Sequence, residues 1–68
     1  MDEVPRRSDI KIGQTVWGVE KRSYKTGELT KGEVDRILTN KEIHPRGIKV
    51  MLTDGTVVRV QRLTQPAN

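Results

Sequence analysis

IHPRGIKVMLTDGTVVRVQR, Ile43 to Arg62, reads as two short strands joined by a turn. Ile48, Val50 and Leu52 alternate with Lys49 and Met51, the period-two pattern of a strand with one buried face. Val58 and Val60 alternate with Arg59 and Gln61 on the return. Between them Asp54-Gly55 fits a two-residue type I′ turn, whose central residues both take positive φ. The resulting hairpin has one apolar face and one polar, basic face. It sets the fold class as β and displays lysine and arginine on an outer surface, the layout of a binding module rather than of an enzyme.

Composition narrows the fold further. Sixty-eight residues make one small domain, near the lower size at which an unaided core is stable. Only 32% of the residues are apolar, with no Phe, one Trp and one Tyr, so the core must be built from Val, Ile and Leu. Such a core fills a small barrel and leaves little room for a deep substrate pocket. The absence of cysteine removes disulfides and thiolate metal sites, and it favours an intracellular setting. No apolar run approaches a membrane span, and the first residues lack the apolar stretch of a signal peptide, so the expectation is a soluble cytoplasmic protein. Thirteen Lys and Arg against nine Asp and Glu give a net charge of +4. A basic surface of this kind on a small β domain suits a polyanion, although the same charge also serves solubility.

Residues 1–8 are polar, contain Pro5 and lack periodicity, and read as a flexible tail. Residues 64–68 read as a frayed end, and residues 9–63 form the domain. Its first strand is expected from about Thr15 to Lys21 and its second from about Leu29 to Leu38, where Gly32 suggests a bulge or bend. Thr39 to Gly47 is a loop, and Gln61 to Leu63 suggest a short last strand or a 3₁₀ turn. No segment carries a helical period. Four to five short antiparallel strands in so small a domain point to a partly open SH3-like barrel. KOW-type barrels of ribosomal and transcription proteins share this layout at the level of fold. In strand one, either Val16 and Gly18 or Trp17 and Val19 turn inward. A lone Trp in a core poor in aromatics favours the interior, whereas an exposed Trp17 would offer a ring on which a nucleobase stacks.

Three features carry the chemistry. The loop KRSYKTGELTK, Lys21 to Lys31, interleaves Lys21, Arg22 and Lys25 with Tyr24, as a single-strand binder does: cations for phosphates, a ring for a base. If this loop binds, these residues should lie beside Arg46 and Lys49. The turn HPRG, His44 to Gly47, is stiffened by Pro45 and presents Arg46 at a fixed position, a suitable fork for phosphate. The hairpin adds Lys49 and Arg59 on its outer face. His44 either hydrogen-bonds nearby backbone to shape the turn or meets a phosphate or base. It has no second His and no ligand-spaced carboxylate beside it, so no metal site and no catalytic residue is expected.

ILTNKEIHPRGIKVMLTDGTVVRVQRL, Ile37 to Leu63, resembles the C-terminal half of the YwbE-like proteins, small and mostly bacterial. TGELTKG, Thr26 to Gly32, resembles that family's hallmark after its first strand, and Ile12, Gly13 and Val16 fit its start. The most specific motif is carried by His44, Pro45, Gly47, Ile48, Lys49, Val50, Leu52, Asp54 and Gly55. Trp17-Gly18 departs from a usually more aliphatic first strand. Met51 stands where family members tend to have Arg, and Val58-Arg59-Val60 where they tend to have Gly-Arg-Val. The resemblance implies a small β-barrel and supplies no reaction.

The expectation is therefore a non-catalytic barrel without cofactor that binds nucleic acid, RNA favoured, or a ribonucleoprotein surface, mainly through phosphates. Lys21, Arg22, Lys25, Arg46, Lys49 and Arg59 would hold the backbone, with Tyr24, and Trp17 if exposed, stacking on bases and His44 supporting the loop. The alternative is a protein-interaction module that uses a barrel groove or strand edge, including self-association.

Overall fold

The computed structural model describes residues 4–66. Strands β1 (Thr15–Val19), β2 (Thr30–Ile37), β3 (Lys49–Leu52) and β4 (Val57–Arg62) follow one another around an antiparallel ring, and β4 returns to pair with β1. This is the small all-β barrel that the strand periodicity predicts, built from four strands. Gln61 and Arg62 extend β4 rather than form a separate fifth element. Two 3₁₀ turns, Arg7–Asp9 and Lys21–Ser23, lie outside the ring.

The interior is filled by Ile10, Val16, Val34, Ile48, Val50, Leu52, Val58 and Val60, with Ile37 and Leu63 packed at its margin. Every member is aliphatic, as the near absence of aromatics requires. Among the described residues no polar or charged side chain is buried. The described interior is accordingly apolar, and the charged side chains lie on the outer face.

The hairpin differs from expectation in its turn. Val50 pairs with Val58 and Met51 with Val57, which leaves Thr53, Asp54 and Gly55 as a three-residue loop. Gly55 takes φ +88°, and no non-glycine residue among those described has positive φ, so the turn is not type I′. The register explains why. A two-residue turn at Asp54-Gly55 would oppose Val50 to Arg59 and drive Arg59 into the core. One more loop residue opposes Val50 to Val58 and keeps both apolar sets inside. Locally, Gly55 N–H donates to the Leu52 carbonyl (2.9 Å), and the Asp54 carboxylate accepts the Thr56 N–H (2.9 Å). That second bond holds the Asp54 carboxyl below the usual carboxylate range.

Trp17 lies on the outer face, half-buried, and not in the core. Val16 and Gly18 turn inward instead. Gly18 decides this register, because a Cβ there would stand 2.5 Å from Val58 Cγ2 and 2.8 Å from the Arg59 carbonyl oxygen. Only a residue without a side chain lets β1 come this close to β4. The irregularity expected at Gly32 falls at Asp35, where the β2–β3 register shifts. Gly32 itself makes room for the Leu52 side chain.

Of the N-terminal segment, residues 1–3 lie outside the described residues, as do residues 67–68 of the C-terminal one. Arg7 is tied to the long loop between β2 and β3: its N–H donates to the Glu42 carbonyl (2.8 Å) and its Nε to the Thr39 carbonyl (3.0 Å).

Candidate nucleic-acid interface

The HPRG turn is fastened from within and from below. Gly47 N–H donates to the His44 carbonyl (3.0 Å), and Arg46 N–H donates to His44 Nδ1 (3.1 Å). The imidazole thus shapes the turn through a backbone group, and Nδ1 must be unprotonated to accept. Partial burial, then the positive charges of Arg59, Lys41 and Arg46, hold the His44 pKa below the ordinary 6.5. Gly47 has φ +102° and lies against the Val60 carbonyl, where a side chain would collide. From β4, Arg59 Nη1 donates to the Gly47 carbonyl (3.1 Å), and Gln61 Nε2 donates to the Arg46 carbonyl (2.8 Å). Arg46 is therefore carried on a braced loop with its side chain exposed.

The loop between β1 and β2 is also internally bonded. Ser23 N–H donates to the Glu20 carbonyl and Gly27 N–H to the Ser23 carbonyl, both at 2.8 Å. The Glu20 carboxylate accepts from Arg22 (3.3 Å) and from the Thr30 hydroxyl (2.9 Å). Tyr24 emerges from this loop with 44% of its surface exposed.

The two loops meet across β4. Tyr24, Lys25 and Gly27 on one side and Arg46 on the other enclose a groove of about 450 Å³, floored by Val19, Arg59 and Gln61. Two of the four loop residues expected beside the HPRG turn, Tyr24 and Lys25, are thus beside it. Lys21 and Arg22 share the loop but not the lining, and Arg22 forms the one ion pair among the described residues, with Glu20. Lys49 is the cross-strand neighbour of Arg59 and extends the cationic row onto β3. His44 sits under the turn and supports it. Trp17 lies on a neighbouring row, between Lys31 on β2 and Arg62 on β4.

The groove lining contains three cations, a phenol ring and an amide, with no carboxylate. Lys25, Arg46 and Lys49 have no acidic partner among the described residues, so their charge is available to an anion. Arg62 escapes a reading by strict alternation, which would turn it inward. The β1–β4 register shifts between Trp17 and Gly18, so that Gln61 and Arg62 both stay outside before Leu63 returns to the core. Lys31 is legible as the outward partner of Trp17 only once the face of β1 is known. Among the described residues no group of three or more His, Asp or Glu is placed to hold a metal ion, and no helix is long and apolar enough to cross a membrane.

Residues 3–63 match the model of a family described as an uncharacterized conserved protein (DUF2196). The chain is 47% identical over 57 residues to the uncharacterized protein YwbE of Bacillus subtilis (strain 168), across 84% of this chain and 88% of the relative. No solved structure matches it.

Proposed function

The chain belongs to this conserved YwbE-like family (DUF2196), and from its surface we propose that it is a non-catalytic, cytoplasmic nucleic-acid-binding module. The observation that carries this reading is the groove, where Lys25, Arg46 and Arg59 converge around Tyr24 without a carboxylate among them. A volume of about 450 Å³ suits one nucleotide-sized group. Arg46 offers a bidentate fork to a phosphate, Arg59 offers the guanidinium edge not bonded to Gly47, and Lys25 adds a mobile point charge. Tyr24 offers a ring face to a base. Lys49, Lys21 and Arg22 lie outside the lining and act on the rest of the backbone through longer-range attraction. RNA, free or on a ribonucleoprotein surface, is the favoured polymer.

A peptide is the competing occupant. Each of the four strands is paired on both sides, so a peptide would have to use the groove rather than a strand edge. Salt titration of the complex with labelled RNA tests the proposal. Affinity should fall by roughly 0.7 log units per log unit of salt for each phosphate neutralised on a single strand. Arg46→Gln and Arg59→Gln should each weaken binding and each reduce that slope. Failure to bind RNA or DNA at low salt would overturn the reading and turn the search to protein partners.

A further inference from the structure

We propose that the polymer is single-stranded and leaves the groove along the outer face of β4 to a second base-binding platform made by Trp17, Lys31 and Arg62. The inference rests on the groove reading and adds a path and a strandedness to it. Three observations carry it. Trp17 faces outward, and its indole belongs to no part of the core. Lys31 and Arg62 are its direct cross-strand partners on either side, with Lys31 Nζ 5.7 Å from the ring centroid. Finally, β4 physically joins the two places: Arg59 floors the groove, and Arg62 stands beside Trp17 further along the same strand. Because of the bulge, Arg59 and Arg62 lie opposite Val19 and Trp17, two residues apart on β1, a span of about 7 Å within reach of neighbouring nucleotides of one chain.

The chemistry of the platform is complete in small form. An aromatic face takes a base of any identity, and cations on both flanks take the phosphates before and after it. Lys31 now covers the ring as a cation–π partner. That contact is weaker at an exposed site than base stacking, so an arriving base displaces the ammonium, which remains at hand for the adjoining phosphate. Inside a duplex no base is free to lie on Trp17, because both faces of each internal base are already stacked. The geometry thus selects a single strand that is gripped at Tyr24 and again at Trp17.

Trp17 is the chain's one tryptophan, so its emission reports this platform alone. The probes are an eight-nucleotide oligouridylate, the corresponding oligothymidylate and an RNA duplex of equal length, at low salt. Single strands should shift or quench Trp17 emission, and the duplex should compete about ten-fold or more weakly. Trp17→Leu should lower oligouridylate affinity about ten-fold, and Trp17→Phe should restore much of it. Arg62→Gln, on an exposed residue that leaves the core intact, should reduce the salt slope by about 0.7. Comparison of the two oligomers separates RNA from DNA preference. Binding that depends on Arg46 but leaves Trp17 emission, Arg62→Gln and duplex competition unchanged would overturn the path while the groove reading stood. Absence of binding by every probe would overturn both.

Discussion

Arg59 on β4 donates a hydrogen bond to the Gly47 carbonyl across 3.1 Å, so one guanidinium both floors the groove and braces the turn that presents Arg46. Structure and recognition are therefore coupled at this residue. Arg59→Met should cost about 1–2 kcal/mol through the lost charge-assisted bond, a fall in Tm of roughly 5–15 °C. Arg59→Lys should recover the charge but not the fork. Thermal unfolding by circular dichroism checks the first effect, and RNA affinity at fixed salt the second. Equal Tm for Arg59→Met and wild type would show that the brace is dispensable.

Two glycines with positive φ separate strain from collision. At Gly55 (φ +88°) a Cβ meets nothing within 4 Å, so Gly55→Ala should cost about 1 kcal/mol from backbone strain alone. At Gly47 (φ +102°) the same change also runs a methyl group into the Val60 carbonyl. Gly47→Ala should therefore lower Tm by at least twice as much as Gly55→Ala or prevent folding. Similar melting points for the two variants would contradict the close approach.

His44 gives the protein a pH-dependent element. Its folded pKa lies below 6.5 because of partial burial first and then the cations Arg59, Lys41 and Arg46. Between the folded and unfolded values the unfolded chain holds more protons, so stability rises with pH in that interval. The contribution is full above pH 6.5 and is lost as pH falls from there through the folded pKa. Tm should drop on mild acidification before the carboxylates titrate, and His44→Asn should flatten that part of the profile. An imidazole titration by NMR should show a midpoint under 6.5; a midpoint above it would reverse the sign.

The core leaves little reserve. Ile48 is fully buried within an aliphatic set of eight. Ile48→Val should cost about 0.5–1.5 kcal/mol and leave a cooperative transition, whereas Ile48→Ala should cost about 2–5 kcal/mol, which for a domain of this size approaches its whole stability. Urea unfolding of the two variants distinguishes the cases.

The hairpin faces were legible because period-two alternation follows directly from strand geometry, and Ile48, Val50, Leu52, Val58 and Val60 are all buried. The turn was not, because Asp-Gly serves both two- and three-residue loops, and the choice depends on which residues of the opposite strand must face the same side. That information was present: Val58 and Val60 inward already exclude a loop that opposes Val50 to Arg59. Trp17 lies outside although its side-chain type favours the interior, because close backbone approach outweighs side-chain type at this strand. Gly18, which alternates with Val16, carried the register, and only contact with Val58 and the Arg59 carbonyl reveals why. Of the four loop residues expected beside Arg46 and Lys49, the groove brings Tyr24 and Lys25 to Arg46, and leaves Lys21, Arg22 and Lys49 outside its lining. Gln61 follows from the same period-two alternation, whereas Arg62 reaches the outer face through a bulge that no local pattern announces.

The pairing of Val19 with Arg59 joins the first strand of the ring to the last. During synthesis β1 emerges from the ribosome long before its partner, and until β4 follows, Val16 has no completed interior to enter. Contacts so distant along the chain repay their loop-closure entropy only when all are made together. This barrel is consequently a fold that the nascent chain must wait for, acquired in one step after its last strand is free, rather than assembled piece by piece as it is translated.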